Sequence, residues 1–131
     1  MSQNRIYIVE DDKPLANDLR TVLARVGFEV RVFESGYPIV AMLGNWPDVF
    51  LIDIELPDIN GLEICKWLKG HEASSHIPVI LLSSDAYLRV LAAAAHADDY
   101  VEKDVAHGEI TARVVGCLSA SQLTDGNSSR Y

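Results

Sequence analysis

The amino-acid sequence predicts an α/β fold, a doubly wound parallel sheet of five strands with five helices packed on its two faces. Two observations predict it. Short apolar runs rich in β-branched and aromatic residues alternate with segments of helical period, five times over within 131 residues. Five such β-α units, joined by right-handed crossovers, permit little besides a parallel sheet covered on both sides. Three of the runs are also almost continuously apolar, as strands buried on both faces must be.

The first run is Ile6-Tyr7-Ile8-Val9. Leu15, Leu19, Val22, Leu23 and Val26 then recur at helical spacing, with Pro14 suited to a first turn and Gly27 to a stop. The second run, Phe28 to Phe33, alternates apolar with charged residues and reads as an edge strand open on one side. Ile39, Val40 and Leu43 predict a short second helix. The third run, Val49 to Ile52, precedes a helix on Leu62, Cys65 and Leu68 that ends near Gly70. The fourth, Val79 to Leu82, precedes an alanine-rich helix on Leu88, Leu91, Ala92 and Ala95. Tyr100-Val101 forms the fifth strand, and Ile110, Val114, Val115 and Leu118 the fifth helix. From Ser119 the periodicity fades into Ser, Asn and Gly. Residues 1–118 therefore read as one domain and 119–131 as a polar tail or the start of a linker.

Composition narrows the function. Nineteen Asp and Glu against eleven Lys and Arg give a net charge of −8, which repels phosphate backbones and anionic lipid and so disfavours direct nucleic-acid or membrane binding. The N-terminal residues meet acid at once and lack the long apolar stretch of a leader or membrane span, so a cytoplasmic protein is expected. Cys65 and Cys117 form no CxxC or Cys/His cluster and are expected to be reduced, packed thiols.

In an open parallel sheet, functional groups collect at the carboxyl ends of the strands. Here those ends carry Glu10-Asp11-Asp12 on the first strand, Asp53 on the third, Ser83-Ser84 on the fourth and Glu102-Lys103 on the fifth. Singly, each has an ordinary explanation: acids cap helices, Asp favours turns, and Lys is a surface charge. Their convergence on one rim does not. Crowded carboxylates repel unless a cation separates them. A few hard oxygen ligands suit Mg²⁺, which keeps water and bridges to phosphate. A dication, one ammonium and one hydroxyl together can orient and neutralise a phosphoryl group, with Asp53 as the natural acceptor.

The stretches IYIVEDDKPL, PDVFLIDIELPDINGLEICKWLK, IPVILLSS and ADDYVEK resemble, in this order, the receiver domain of two-component response regulators, from about residue 5 to 118. The resemblance implies a sheet of order 2-1-3-4-5. It implies Mg²⁺ held by Glu10, Asp11, Asp53 and the backbone carbonyl of Glu55, and phosphorylation of Asp53 by a histidine kinase or phosphotransfer protein. Ser83 then matches the hydroxyl that follows the phosphoryl group, Lys103 its ion-pair partner, Tyr100 the aromatic whose rotamer reports the state, and Pro57 and Gly61 the turn into the third helix. Such a domain is a signalling acceptor and not an enzyme in its own right. It switches the face made by the fourth helix, fifth strand and fifth helix, which also offers a homodimer interface. Its output is a downstream protein or a further domain absent from these residues.

Four departures from that pattern stand out. Asp104 replaces the proline that usually follows the lysine, so a trans or strained peptide is expected, and Asp104 becomes a second candidate partner for Lys103. His96 replaces a glycine, predicting a left-handed residue with a side chain. The stretch from Ser83 to Lys103 is short and its helix poor in charge. Glu55 and Asp85, two residues after Asp53 and Ser83, stand where the family tunes phosphoryl lifetime, and slow self-dephosphorylation is expected. The alternative is a degenerate receiver that binds partners without phosphorylation. A flavin carrier is disfavoured because Glu-Asp-Asp after the first strand repels a flavin phosphate, and a phosphohydrolase because its substrate-recognition insertions do not fit the length.

Overall fold

The computed structural model describes residues 3–128, with side chains through residue 120. Its elements are β1 (Arg5–Val9), α1 (Lys13–Arg25), β2 (Glu29–Phe33), α2 (Tyr37–Val40), β3 (Val49–Asp53), α3 (Gly61–Gly70), β4 (Val79–Ser83), α4 (Leu88–Ala94), β5 (Asp99–Glu102) and α5 (His107–Ser128). The strands form one sheet of order β2-β1-β3-β4-β5, parallel at every pairing.

Alternation along each strand divides the core in two. Ile6, Ile8, Val49, Leu51, Ile80 and Leu82 face α1 and α5, packing against Leu19, Leu23, Ile110 and Val114. Tyr7, Val9, Phe50, Ile52, Val79 and Leu81 face the other way, against Ile39, Ile64, Cys65, Leu68, Leu88 and Ala92. β3 and β4 are buried along their whole length, whereas β2 shows the alternating exposure of an edge. Each fully buried Leu or Ile stabilises the fold by about 1.5–3 kcal/mol, so the central strands are held hard and the rim they carry is rigid.

Local signals start and stop the helices. Asp12 caps α1 by accepting from the Leu15 N–H at 3.2 Å, with Pro14 in the first turn, and Gly27 takes φ 103° after its end. Asn60 caps α3, accepting from the Leu62 N–H at 2.8 Å. His96 adopts φ 62° after α4, the left-handed conformation expected of that position.

Three expectations are corrected. Leu43 does not extend α2, which is a single turn; the residue stands in the following loop, fully exposed. Val26, counted in the apolar stripe of α1, is the residue just past the helix end, and it and Val115 of α5 are each more than two-fifths exposed. The polar stretch after Ser119 is helical backbone as far as Ser128. Once α5 is nucleated on the sheet, propagation needs no periodic burial. Residues 129–131 of the expected tail lie outside the described residues.

Candidate functional site

β1 and β3 are neighbours in the sheet, and their ends bring the acids together. The strand ladder makes Val9 pair with Ile52, so Glu10 and Asp53 leave adjacent strands at the same level. Both are buried, at 1% exposure each. Asp11, next in the chain, is exposed, and one carboxylate oxygen from each of Glu10, Asp11 and Asp53 lies within 4.8 Å of the others. The three acids after β1 thus divide: Asp12 caps a helix, and Glu10 and Asp11 face Asp53.

Lys103 closes the group from the far side. Its Nζ donates to Asp53 Oδ2 at 2.9 Å and stands 3.0 Å from Glu10 Oε1. Burial works to lower the lysine's pKa, but the Asp53 and Glu10 carboxylates outweigh it and hold it above the ordinary value, so the ammonium is a fixed charge. Asp104 does not compete. Lys103 pairs with Asp53 and Glu10 instead, Asp104 is exposed, and no cis peptide occurs among the described residues. The Lys103 N–H also donates to the Ser83 carbonyl at 3.0 Å. This ladder bond between β4 and β5 aims the lysine without help from a proline.

Glu10 is the least satisfied member. Burial, with the Asp53 carboxylate beside it, pushes its pKa up to about 7 against the opposing pull of Lys103. Its Oε1 is buried and has no aligned hydrogen-bond donor, although the lysine charge is near. Two buried carboxylates and an exposed third, answered by one shared ammonium, are a donor set that a hard divalent cation completes. The residues present fit Mg²⁺.

The remaining predicted residues surround this centre. The Glu55 N–H donates to Asp53 Oδ1 at 3.1 Å while its side chain is exposed. Ser83 is fully buried, and its Oγ accepts from the Asp85 N–H at 3.0 Å. Tyr100 is half-buried and packs on the cluster beneath α3 and α4. Ser83, the other residue expected to switch, lies one strand away, on β4.

Two residues were not legible as part of the site's frame. Asp58 accepts from the Gly36, Tyr37 and Ile59 N–H groups, each at 2.8 Å, and so ties the loop after Asp53 to the start of α2. Asp98 accepts from Lys69 Nζ and the Val79 N–H, both at 2.8 Å, joining α3 to the entrance of β5. Both are acids among many in an acidic chain, and only the fold brings their partners near.

The comparisons with known proteins agree with this geometry. Residues 6–115 match the family model described as the response regulator receiver domain. The chain is 34% identical over 122 residues to the transcriptional regulatory protein GltR of Pseudomonas aeruginosa, covering 91% of this chain and 50% of that protein. It is 38% identical over 118 residues to the transcriptional regulatory protein CreB of Escherichia coli, covering 87% and 50%. The chain thus spans about half the length of these curated relatives. Among solved structures, a response regulator receiver domain protein from Methanospirillum hungatei superposes with a TM-score of 0.83 at 27% identity, covering 94% of this chain and 99% of that one. With its sheet order and rim of acids, this chain belongs to the receiver domain family of two-component response regulators.

Proposed function

We propose that this receiver is an active switch in which Asp53 accepts a phosphoryl group in the presence of Mg²⁺. The observation that carries the reading is the convergence of Glu10, Asp11, Asp53 and Lys103 at the carboxyl end of the sheet, where one ammonium is shared between two buried carboxylates. Glu10, Asp11, Asp53 and the Glu55 carbonyl would hold the ion, which when bound offsets phosphoryl charge and orients its oxygens.

A carboxylate oxygen of Asp53 attacks phosphorus in line, the donor's bond to phosphorus breaks, and an acyl phosphate forms on Asp53. Lys103, now shared between two carboxylates, pairs with the incoming phosphoryl oxygens. Ser83 turns its hydroxyl toward the group, and Tyr100 follows into the space released. Glu55, Asp85 and Asp104 stand at the rim and set how readily water or a partner reaches the phosphoryl group. Receiver domains take phosphate from histidine kinases, and the relatives named above are transcriptional regulators of about twice this length. A histidine kinase or phosphotransfer protein is therefore the proposed donor. The output passes to a downstream protein or further domain, or to a second copy, through the α4-β5-α5 face.

The test is phosphorylation by acetyl phosphate, followed by intact mass. Wild type should gain one phosphoryl group with Mg²⁺ and none with a chelator, and Asp53→Asn should gain none in either condition. Full labelling of Asp53→Asn would place the acceptor at another residue, and none of wild type would leave a receiver-shaped docking module as the better account.

A further inference from the structure

We propose that Asp58 is a positioning residue for the metal site, tethering the loop that carries the Glu55 carbonyl to the start of α2. The inference rests on the reading of Glu10, Asp11, Asp53 and the Glu55 carbonyl as the ligands of Mg²⁺. Residues 55–60 leave the buried end of β3 and come back to it, since the Gly61 N–H donates to the Ile54 carbonyl at 2.8 Å. Ile54 is itself fixed, its N–H donating to the Leu82 carbonyl at 3.0 Å. The base of the loop is therefore held by the sheet. Its tip is Pro57, Asp58 and Ile59.

Two kinds of contact hold the tip. Leu56 and Ile59 pack against the core cluster beneath α3, and apolar packing is non-directional: it keeps the loop down without setting how its peptide planes turn. Direction comes from Asp58, whose Oδ1 accepts from the Gly36 N–H and Oδ2 from the Tyr37 N–H, both at 2.8 Å. Among the described residues, these are the only hydrogen bonds that join residues 55–60 to a part of the chain other than β3 and α3. The α2 side of the joint fits as closely. That helix has no side-chain cap of its own, and a Cβ on Gly36 would lie 2.4 Å from Ile64 Cδ1 and 3.3 Å from Ile59 Cβ. A bare glycine lets the turn before α2 settle onto Ile59, within reach of the neighbouring carboxylate. A ligand carried on a loop costs the ordering of that loop when the ion binds, and a loop already tethered has less order to gain. The effect is reciprocal: whatever factor the tether adds to Mg²⁺ affinity, bound Mg²⁺ adds to the tether. The start of α2 thereby registers whether the ion is bound.

The experiment measures Mg²⁺ affinity of the full chain by calorimetry, and exchange of the Gly36 and Tyr37 amides by NMR with and without Mg²⁺. Asp58 is exposed, so replacing it opens no cavity in the core. Asp58→Ala should bind Mg²⁺ about fivefold more weakly than wild type, the size of one net hydrogen bond. In wild type, saturating Mg²⁺ should slow exchange of both amides by a similar factor; in Asp58→Ala it should not slow them. A lost charge also weakens cation binding, but salt screens that effect. The positioning effect should persist at about 1 M salt, where the Debye length is about 3 Å. A merely structural role would lower the urea midpoint and leave both readouts alone. Leu23→Ala, which opens the core on the α1 face of the sheet, supplies that comparison and should bind Mg²⁺ as wild type does. Equal affinity in Asp58→Ala, a gap that vanishes in salt, or wild-type amides indifferent to Mg²⁺ overturns the positioning role while the metal site stands. Wild type that does not bind Mg²⁺, or Asp53→Asn that binds it as tightly, overturns both.

Discussion

Gly61 stands where no side chain fits. A Cβ there would lie 2.2 Å from the Asp53 carbonyl oxygen and 2.7 Å from Ile54 Cα, and the Gly61 N–H donates to the Ile54 carbonyl at 2.8 Å. The obstacle is backbone at the end of a fully buried strand, which cannot step aside. Gly61→Ala should therefore cost more than about 2 kcal/mol in urea unfolding and lower the fraction of Asp53 that acetyl phosphate labels; an unchanged midpoint would mean the loop has slack. His96 poses the opposite case. It holds φ 62° with a side chain, so His96→Gly should raise stability by about 0.5–1 kcal/mol, read as a higher urea midpoint. That strained position was expected from the resemblance, because His96 stands where the family more often has glycine. The close approach of Gly61 to Asp53 was not, since it depends on where α3 docks.

Asp58 does for the site's loop what helix caps do for helices. The Gly36 N–H bond leads in holding its carboxyl below the ordinary value of 3.8, helped by the Tyr37 and Ile59 N–H groups and opposed by slight burial. A lowered folded value means the folded state binds this proton less tightly than the unfolded chain. Its stabilisation is therefore full above the ordinary carboxylate range and is lost as pH falls through the folded value. Asp58→Asn should unfold at lower urea than wild type at neutral pH, and the gap should close on acidification. A gap constant across that range would show that charge plays no part. At the same scale, α5 shows how far periodicity can be trusted. Apolar spacing located Ile110, Val114 and Leu118 in the sequence, but the helix runs on to Ser128.

Across the molecule, the thiols follow from packing and not from chemistry. Burial pushes Cys65 up to about 12 and Cys117 up to about 11, so neither forms thiolate at working pH. Both should resist a thiol reagent at mildly alkaline pH in the folded protein and react only as denaturant unfolds it; fast reaction of Cys65 under native conditions would contradict the packing described. The charge of −8 acts at this scale too. Three of the acids behind it meet at one rim, so Mg²⁺ should raise the melting temperature. The gain in stability is about 2.7 kcal/mol at a hundred times the dissociation constant, and Asp53→Asn should weaken the effect.

Alternation of apolar runs with helical period was enough, without any tertiary information, to determine the α/β class, the five strands and the rim on which Glu10, Asp11, Asp53, Ser83 and Lys103 would fall. Strand ends are set by local patterning, and a parallel sheet puts all its carboxyl ends on one side. The sequence could not decide which acid is buried, which caps a helix and which pairs with the lysine, because those outcomes depend on strand order and on neighbours far away in the chain. Only the structure buries Glu10 and makes Asp12 the cap of α1, directs Lys103 to Asp53 and Glu10 and away from Asp104, and shows Asp58 and Asp98 as tethers between elements. An acid's role is fixed by the donors that folding brings to it.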